Sequence, residues 1–271
     1  MPAILEMTTR FGELHRSDMF VMPNAWDAGS AKLLESLGAV AIATTSSGFA
    51  ASLGRPDMSV TRDEVVAHTA ALAGAVDIPL SVDAERGYGA TPDDVATTVA
   101  QLAGAGAAGC SIEDYDPAGD RIDPIDVATA RVAAAVEAAS AAGLVLTARA
   151  ENHIHGVDDL DDTIERLTSY RRAGAHVLYA PGLLDADDIA RVVDAMQQLG
   201  APVNVLAAPG TPPITRLAEL GVRRVSVGGM LAWVAYGALA AAASELLDEG
   251  TTGFTDRMLR ARARNAAFGT R

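Results

Sequence analysis

Eight short runs of β-branched and apolar residues recur along the chain, each followed by a longer Ala- and Leu-rich amphipathic run. The short runs read as strands over residues 20–22, 40–44, 79–82, 109–113, 144–150, 177–180, 203–206 and 224–227. Strands that are apolar throughout and alternate with helices specify a parallel sheet covered on both faces. Eight such units in 271 residues fit a (β/α)8 TIM-type barrel better than an open doubly wound sheet. The expected domain is one barrel over residues 1–271, closed by an extra C-terminal helical segment and uninterrupted by a linker or low-complexity tract.

Helix boundaries are also written into the chain. Thr61-Arg62-Asp63-Glu64 is a capping box, in which the hydroxyl accepts a backbone N–H three residues on and the carboxylate reaches back. Thr91-Pro92-Asp93-Asp94 sets a capping hydroxyl before a proline, with acids in the first turn to match the helix dipole. Helices over 126–142, 160–173 and 185–199 stop at Gly143, Gly174 and Gly200.

Composition removes several function classes. With 21 Lys and Arg against 35 Asp and Glu the formal charge is −14, a poor balance for holding a phosphate backbone, so no nucleic-acid partner is expected. The one cysteine, Cys110, excludes an intrachain disulfide and any multi-cysteine metal centre, and inside an apolar strand it reads as a buried inert thiol. The single lysine, Lys32, falls in the first helix and not at a strand end, which disfavours Schiff-base chemistry. The N-terminal residues lack the form of a signal peptide, and the longest apolar stretch, 230–243, is too short to span a membrane. A soluble, cytoplasmic protein without a membrane partner is therefore expected. The arginines of the C-terminal segment (Arg257, Arg260, Arg262, Arg264 and Arg271) read as a solvated or docked basic helix.

In a parallel barrel the chemistry sits at the C-terminal strand ends. There the sequence places Asp83 and Glu85, then Glu113, then Arg149 and Glu151, and Asn204 on the seventh strand. Several carboxylates at one mouth repel one another unless a cation lies between them. Oxygen-only ligands in histidine-poor surroundings point to Mg²⁺ first and Mn²⁺ second. Arg149 can fork onto a substrate carboxylate, or pair with a neighbouring acid such as Glu151. Ser46-Ser47-Gly48 reads as a flexible loop whose hydroxyls and N–H groups can hold an anionic oxygen. His153 and His155 are secondary candidates for proton transfer or metal binding, while Asp114 and Asp116 read as solvated loop residues.

These residues fall in an order that resembles the isocitrate lyase / phosphoenolpyruvate mutase superfamily. The matching segments are Pro23-Asn24-Ala25-Trp26-Asp27, Ser47-Gly48, Leu53-Gly54-Arg55-Pro56-Asp57, Val82-Asp83-Ala84-Glu85-Arg86-Gly87-Tyr88-Gly89, Ile112-Glu113-Asp114 and Ala148-Arg149-Ala150-Glu151. The resemblance implies a (β/α)8 barrel that assembles as a homodimer or homotetramer, with C-terminal helices from about residue 230 exchanged between subunits. By the same resemblance Asp83 is the direct Mg²⁺ ligand, and Asp57, Glu85 and Glu113 hold the ion directly or through water. Ser47, Gly48 and Phe49 bind one end of a 2-oxo acid or its phosphonate, Arg149 meets the substrate carboxylate or leaving group, and Asn204 adds a polar contact.

Three departures separate the chain from the best-known subgroups. Glu85 replaces the second Asp of an Asp-Ala-Asp motif. The loop Tyr115-Asp116-Pro117-Ala118-Gly119-Asp120-Arg121 replaces a Lys- and Cys-bearing one, and Tyr179-Ala180-Pro181-Gly182 replaces a strand-six His or Glu. The activity implied is that of a Mg²⁺-dependent lyase or decarboxylase, with Arg149, Glu113 and Asp57 in its catalytic set. It would cleave a C–C bond next to a 2-oxo acid through an enolate of pyruvate type. Its substrate would be a small oxo- or hydroxy-carboxylate, or a phosphonate. A C–P bond phosphonomutase or phosphonopyruvate-hydrolase-like enzyme is the nearest alternative. A catalytically silent barrel serving binding or assembly is the alternative of another class.

Overall fold

The first barrel strand is broken by Pro23 into β1 (Phe20–Met22) and β2 (Asn24–Ala25), and that break shows how the sheet closes. In the computed structural model, which describes residues 2–269 and side chains from residue 5 onward, the other barrel strands are β3 (Ile42–Thr44), β4 (Leu80–Asp83) and β5 (Gly109–Glu113), then β8 (Val145–Arg149), β9 (Val177–Tyr179), β10 (Val203–Leu206) and β11 (Arg224–Ser226). Their order is β1-β11-β10-β9-β8-β5-β4-β3-β2, every neighbouring pair parallel. Because β1 and β2 are successive pieces of one strand, the two ends of this order meet and the sheet is a closed (β/α)8 barrel. Between β5 and β8 a small antiparallel hairpin, β6 (Tyr115–Asp116) and β7 (Arg121–Ile122), stands outside the barrel.

The helices begin where their caps predict. Those over the barrel are α2 (Ala28–Ser36), α4 (Arg62–Ala73), α5 (Pro92–Gly104), α6 (Ile125–Ala142), α7 (Leu160–Arg172), α8 (Ala186–Gln198) and α9 (Ile214–Glu219). The Thr61–Glu64 and Thr91–Asp94 boxes are both closed in both directions. Gly143 ends α6 in the left-handed region at φ 75°. Outward-facing Ile42, Leu80, Val82, Cys110, Ile112, Leu146 and Leu178 fill the layer between strands and helices. Burial pushes the Cys110 thiol up to about 12, so it stays protonated and inert.

The N-terminal helix α1 (Pro2–Leu14) carries no signal in the alternating pattern, yet it decides how the barrel is plugged. Its Phe11, fully buried, enters the N-terminal end of the barrel among Phe20, Met22, Ala41, Ala43, Ala108, Val145 and Val177. Gly109 makes room for it, since a Cβ there would lie 2.6 Å from the Phe11 ring and from the Val145 carbonyl. Above this apolar plug lies a polar layer centred on Arg224, which is 2% exposed. Its guanidinium donates to Asn204 Oδ1 (2.8 Å) and Thr147 Oγ1 (3.0 Å), and meets His15 Nε2 at 3.1 Å. Desolvation lowers the Arg224 pKa to about 10, so it is still charged at neutral pH.

The C-terminal segment packs on α2 as well as on the barrel. α10 (Met230–Ser244) follows β11, a π-turn covers Glu245–Glu249, and α11 (Ala261–Phe268) rests on α2. The run Met230–Glu249 corrects the expectation of a stretch too short for a membrane: among the described residues it is the one helix long and apolar enough to cross one by length and composition. In the single chain it lies open, with Trp233 55%, Val234 69% and Leu247 81% exposed. Arg262 and Arg264 face solvent, as a solvated basic helix requires; Arg271 lies outside the described residues.

The His15 ring has only one workable protonation state. Its Nδ1 faces the Phe11 carbonyl at 2.8 Å, which only accepts, and its Nε2 faces Arg224, which only donates. The ring is therefore neutral, and burial together with Arg224 lowers its pKa to about 3. Below the unfolded value of 6.5 the unfolded chain binds this proton and the folded chain does not, so stability is lost as pH falls from 6.5 toward 3. The loss from this group is about 1.4 kcal/mol per pH unit at its steepest. His15→Gln keeps a neutral acceptor for Arg224 and does not titrate. Urea midpoints at pH 5 and pH 7.5 are expected to differ less in the variant, by roughly 2 kcal/mol in stability; equal differences would rule out His15 as the source.

Candidate active site

Because every barrel strand runs the same way, their C-terminal residues gather at one mouth. β4 brings Asp83 and the turn beyond it Glu85; β5 brings Glu113; β8 brings Arg149 and, two residues later, Glu151. Arg149 holds this group together. Its Nη1 lies 2.9 Å from Asp83 Oδ1 and 3.1 Å from Glu113 Oε2, and its Nε donates to Glu151 Oε1 at 2.7 Å. From below, the Tyr179 ring faces the guanidinium carbon at 5.4 Å, a cation–π geometry. Burial works against the charge on Arg149, but Glu151, Glu113 and Asp83 outweigh it and hold its pKa well above the ordinary value.

One guanidinium does not balance the carboxylates around it. Burial, then Asp83 and Asp57, push the Glu85 carboxyl up to about 8, and its Oε1 is buried without a hydrogen-bond partner. Glu113 rises well above its usual value through burial and the charges of Glu151, Asp83 and Glu85, against the pull of Arg149. Asp57 is raised by partial shielding and by Asp83, while the Ser46 side chain bonds to it. Asp57, Asp83, Glu85 and Glu113, the four expected metal carboxylates, are thus within one another's field. They do not form a preassembled direct cage: among the described residues no three His, Cys, Asp or Glu side chains group in that way. Glu85 adopts φ 47°, and Tyr88 φ 53°, so the turn after β4 is held in a conformation costly for non-glycine residues.

The Ser-Ser-Gly segment, expected as a flexible loop, is instead the start of a short helix, α3 (Ser46–Ser52), capped by Thr45. The Ser46 N–H donates to Asp83 Oδ2 (3.2 Å), and the Asp83 N–H donates to Thr44 Oγ1 (2.8 Å). Gly48 is required by packing, because a Cβ would come within 2.9 Å of Trp26 Cβ. The Gly229 backbone presses on Ser47: a Cβ there would overlap the Ser47 hydroxyl. Phe49 turns away from the mouth. Its ring stacks on His68 at 3.7 Å, and its N–H is used by the Thr45 carbonyl. The Ser47 hydroxyl lies 3.4 Å from that of Thr45.

Asn204 lies 1% exposed on β10, accepting from Arg224 and donating to Ser226 Oγ at 2.9 Å. With Arg224, Asp83, Arg149 and Tyr179 it lines a cavity of about 80 Å³ along the barrel axis below the mouth. His153 pairs with the exposed Asp158 at 3.1 Å. His155 stacks on Tyr115 of the hairpin at 3.6 Å, which joins the loops after β5 and β8.

Sequence reasoning misplaced Asp114. Expected in solvent, it is 2% exposed and central to the support behind the mouth. Its Oδ1 accepts the Glu151 N–H (2.8 Å), and its Oδ2 accepts the Tyr170 hydroxyl (2.6 Å) and Arg166 Nη1 (3.2 Å). Asp116 is likewise buried, 3.3 Å from Arg86. Arg86 also grips Asp123 with two 2.8 Å bonds, and the Arg131 guanidinium donates to the Arg86, Gly89 and Ala90 carbonyls. The one available signal for Asp114 was its place next to Glu113, directly beyond an apolar strand.

Residues 11–247 match the model of the phosphoenolpyruvate phosphomutase family, and the chain belongs to that family. A solved structure from Burkholderia cenocepacia, assigned as a lyase or mutase, shares 46% identity and superposes with a TM-score of 0.94 over 100% of this chain and 98% of that one. An oxaloacetate decarboxylase of Paraburkholderia xenovorans is 32% identical, covering 78% of this chain and 71% of its own length. A Corynebacterium glutamicum protein assigned as a 2-methylisocitrate lyase is 30% identical, covering 88% and 80%.

The Asp114 network yields a stability test. Tyr170→Phe removes one donor from a buried carboxylate and leaves Arg166 as its side-chain partner. The expected cost is about 1–2 kcal/mol in urea unfolding. A neutral variant would show that Asp114 does not depend on the tyrosine hydroxyl.

Proposed function

We propose that this protein is a Mg²⁺-dependent lyase or decarboxylase that breaks a C–C bond next to a 2-oxo acid. The observation that carries the reading is the excess of carboxylates around Arg149, with a buried and unpartnered Glu85 Oε1 among them. Such a donor set suits a hard divalent cation. Asp83, Glu85, Glu113 and Asp57 are the residues that would hold it, Asp83 foremost. Bound there, Mg²⁺ would supply Lewis-acid stabilisation of the negative charge developing on the substrate's 2-oxo oxygen.

The chain's own residues supply the rest. Ser47 offers a hydroxyl at the start of α3 to a carboxylate oxygen. Arg149, already fixed by Glu151 and Tyr179, offers a preorganised positive charge to a carboxylate or developing oxyanion of the substrate. Gly228, Ser226 and Asn204 shape the cavity beneath the mouth together with Arg149 and Asp83. The decarboxylase and lyase among the 30–32% identical relatives favour C–C over C–P cleavage.

Pyruvate release from oxaloacetate and 2-methylisocitrate, and conversion of phosphonopyruvate to phosphoenolpyruvate or to pyruvate and phosphate, assayed in parallel with Mg²⁺ and with EDTA, separate the readings. Turnover of oxaloacetate alone is expected, abolished by EDTA. Conversion of phosphonopyruvate to either product would favour the C–P reading, and no turnover of any of the three the silent barrel. Asp83→Asn is expected to lose Mg²⁺ binding in calorimetry, and Arg149→Lys to lose roughly 100-fold or more in kcat; a full-strength Arg149→Lys enzyme would remove Arg149 from the chemistry.

A second copy of the chain is the proposed cover for α10 and the turn that follows it, whose Trp233, Val234 and Leu247 are too exposed for an isolated segment in water. The start of α10 touches the site, since a Cβ built on Gly48 would lie 3.1 Å from Ala232 Cβ. A homodimer or homotetramer is expected by light scattering. Trp233→Glu together with Val234→Glu is expected to shift it toward monomer; a wild-type monomer would overturn the assignment.

A further inference from the structure

The end of the barrel opposite the carboxylate mouth carries the reverse charge. Two adjoining clefts, of about 660 and 310 Å³, open there between α1 and the loops that lead into β8, β9 and β10. They share His15, Arg16, Gly200 and Pro202. Three arginines, Arg16, Arg171 and Arg223, and two histidines, His15 and His176, line them, and no aspartate or glutamate does. In a chain with 35 acidic residues against 21 basic ones, a lining of this sign is not what composition supplies.

The cations differ in what they are already doing. Arg171 donates to the carbonyls of Leu199 (3.1 Å), Ala175 (2.9 Å) and Gly200 (3.4 Å), so it offsets the partial negative charge where helices α7 and α8 end. Arg223 reaches only the Ser17 carbonyl, at 3.4 Å. The Arg16 side chain is exposed and, among the described residues, makes no hydrogen bond or ion pair. Both histidines are pushed down, first by burial and then by neighbouring arginines: Arg224 and Arg16 act on His15, against the Phe11 carbonyl, and Arg171 and Arg16 on His176. Among the described residues the side chains that line the cleft include arginines and no acid.

We propose that this cleft is a second ligand site that takes a small polyanion, a phosphate ester or a polycarboxylate, with Arg16 and Arg223 as its recognising guanidinium groups. Arginine forks match both kinds of oxygen cluster, and a cleft of this size accepts a metabolite and not only a single ion. The site stands independently of the activity at the opposite end. It shares one residue with the barrel interior: His15, which also meets Arg224 below the axial cavity.

Calorimetric titration of the full chain with pyrophosphate and, separately, tricarballylate tests the assignment. At least one probe is expected to bind saturably and to weaken with added salt. Binding of one alone identifies the phosphate or the carboxylate source, and binding of both a general polyanion site. Arg16→Gln and Arg223→Gln are each expected to weaken binding about tenfold or more. Both side chains lie at the surface, and circular dichroism checks that the variants fold. Asp83→Asn is expected to bind as the unchanged chain does. The proposal is overturned if neither probe binds, if the double arginine variant binds undiminished, or if Asp83→Asn abolishes binding while the arginine variants retain it.

Discussion

Arg149 is the charge on which the mouth of this barrel depends. Three carboxylates from three strands touch one guanidinium, and each would repel the other two without it. The strand register makes the meeting unavoidable, since Glu113 pairs directly with Arg149 on β8, and Arg149 with Tyr179 on β9. Yet the balance stops short of neutrality. Glu85 and Asp57 join the same field with no cation of their own, which leaves the site fitted for a further positive charge. Perturbed carboxyls gathered in this way are common at functional sites.

Most of the architecture was legible because barrel strands leave a period that composition cannot imitate. Apolar runs separated by capped helices located all eight strand regions, and the strand-end rule then placed Asp83, Glu113, Arg149 and Glu151 at one mouth. What escaped was structure whose signal is tertiary. Helix α1 looks like any polar N-terminal stretch until Phe11 is seen to need the space left by Gly109. Ser46–Ser52 has the residues of a loop and becomes a helix because Thr45 caps it and Asp83 takes the Ser46 N–H.

Asp114 shows the limit most plainly. A carboxylate in a loop is ordinarily solvated, and nothing local says otherwise. Its partners Tyr170 and Arg166 lie 56 and 52 residues away in sequence, and only the fold brings them to it. Through the Glu151 N–H it fixes the backbone that carries one of Arg149's partners. The Glu151 side of the charged mouth is thus supported from helix α7, beyond the strand ends that a sequence reading inspects.

The net charge of −14 acquires a direction from this structure. Acids concentrate where the strands end, and a patch of cations free of acids lies where they begin. The two are separated by the Arg224 layer, a buried cation partnered by Asn204, Thr147 and a neutral His15 rather than by a carboxylate. A buried charge satisfied only by dipoles is expensive to maintain. It keeps the barrel axis positive beneath the mouth, so an anion entering from the carboxylate-lined end meets Arg149 first and the field of Arg224 beneath it. On the function proposed above, that ordering would offset the repulsion between an anionic substrate and the acids of the mouth, and a cation held there would act together with the arginine at the floor.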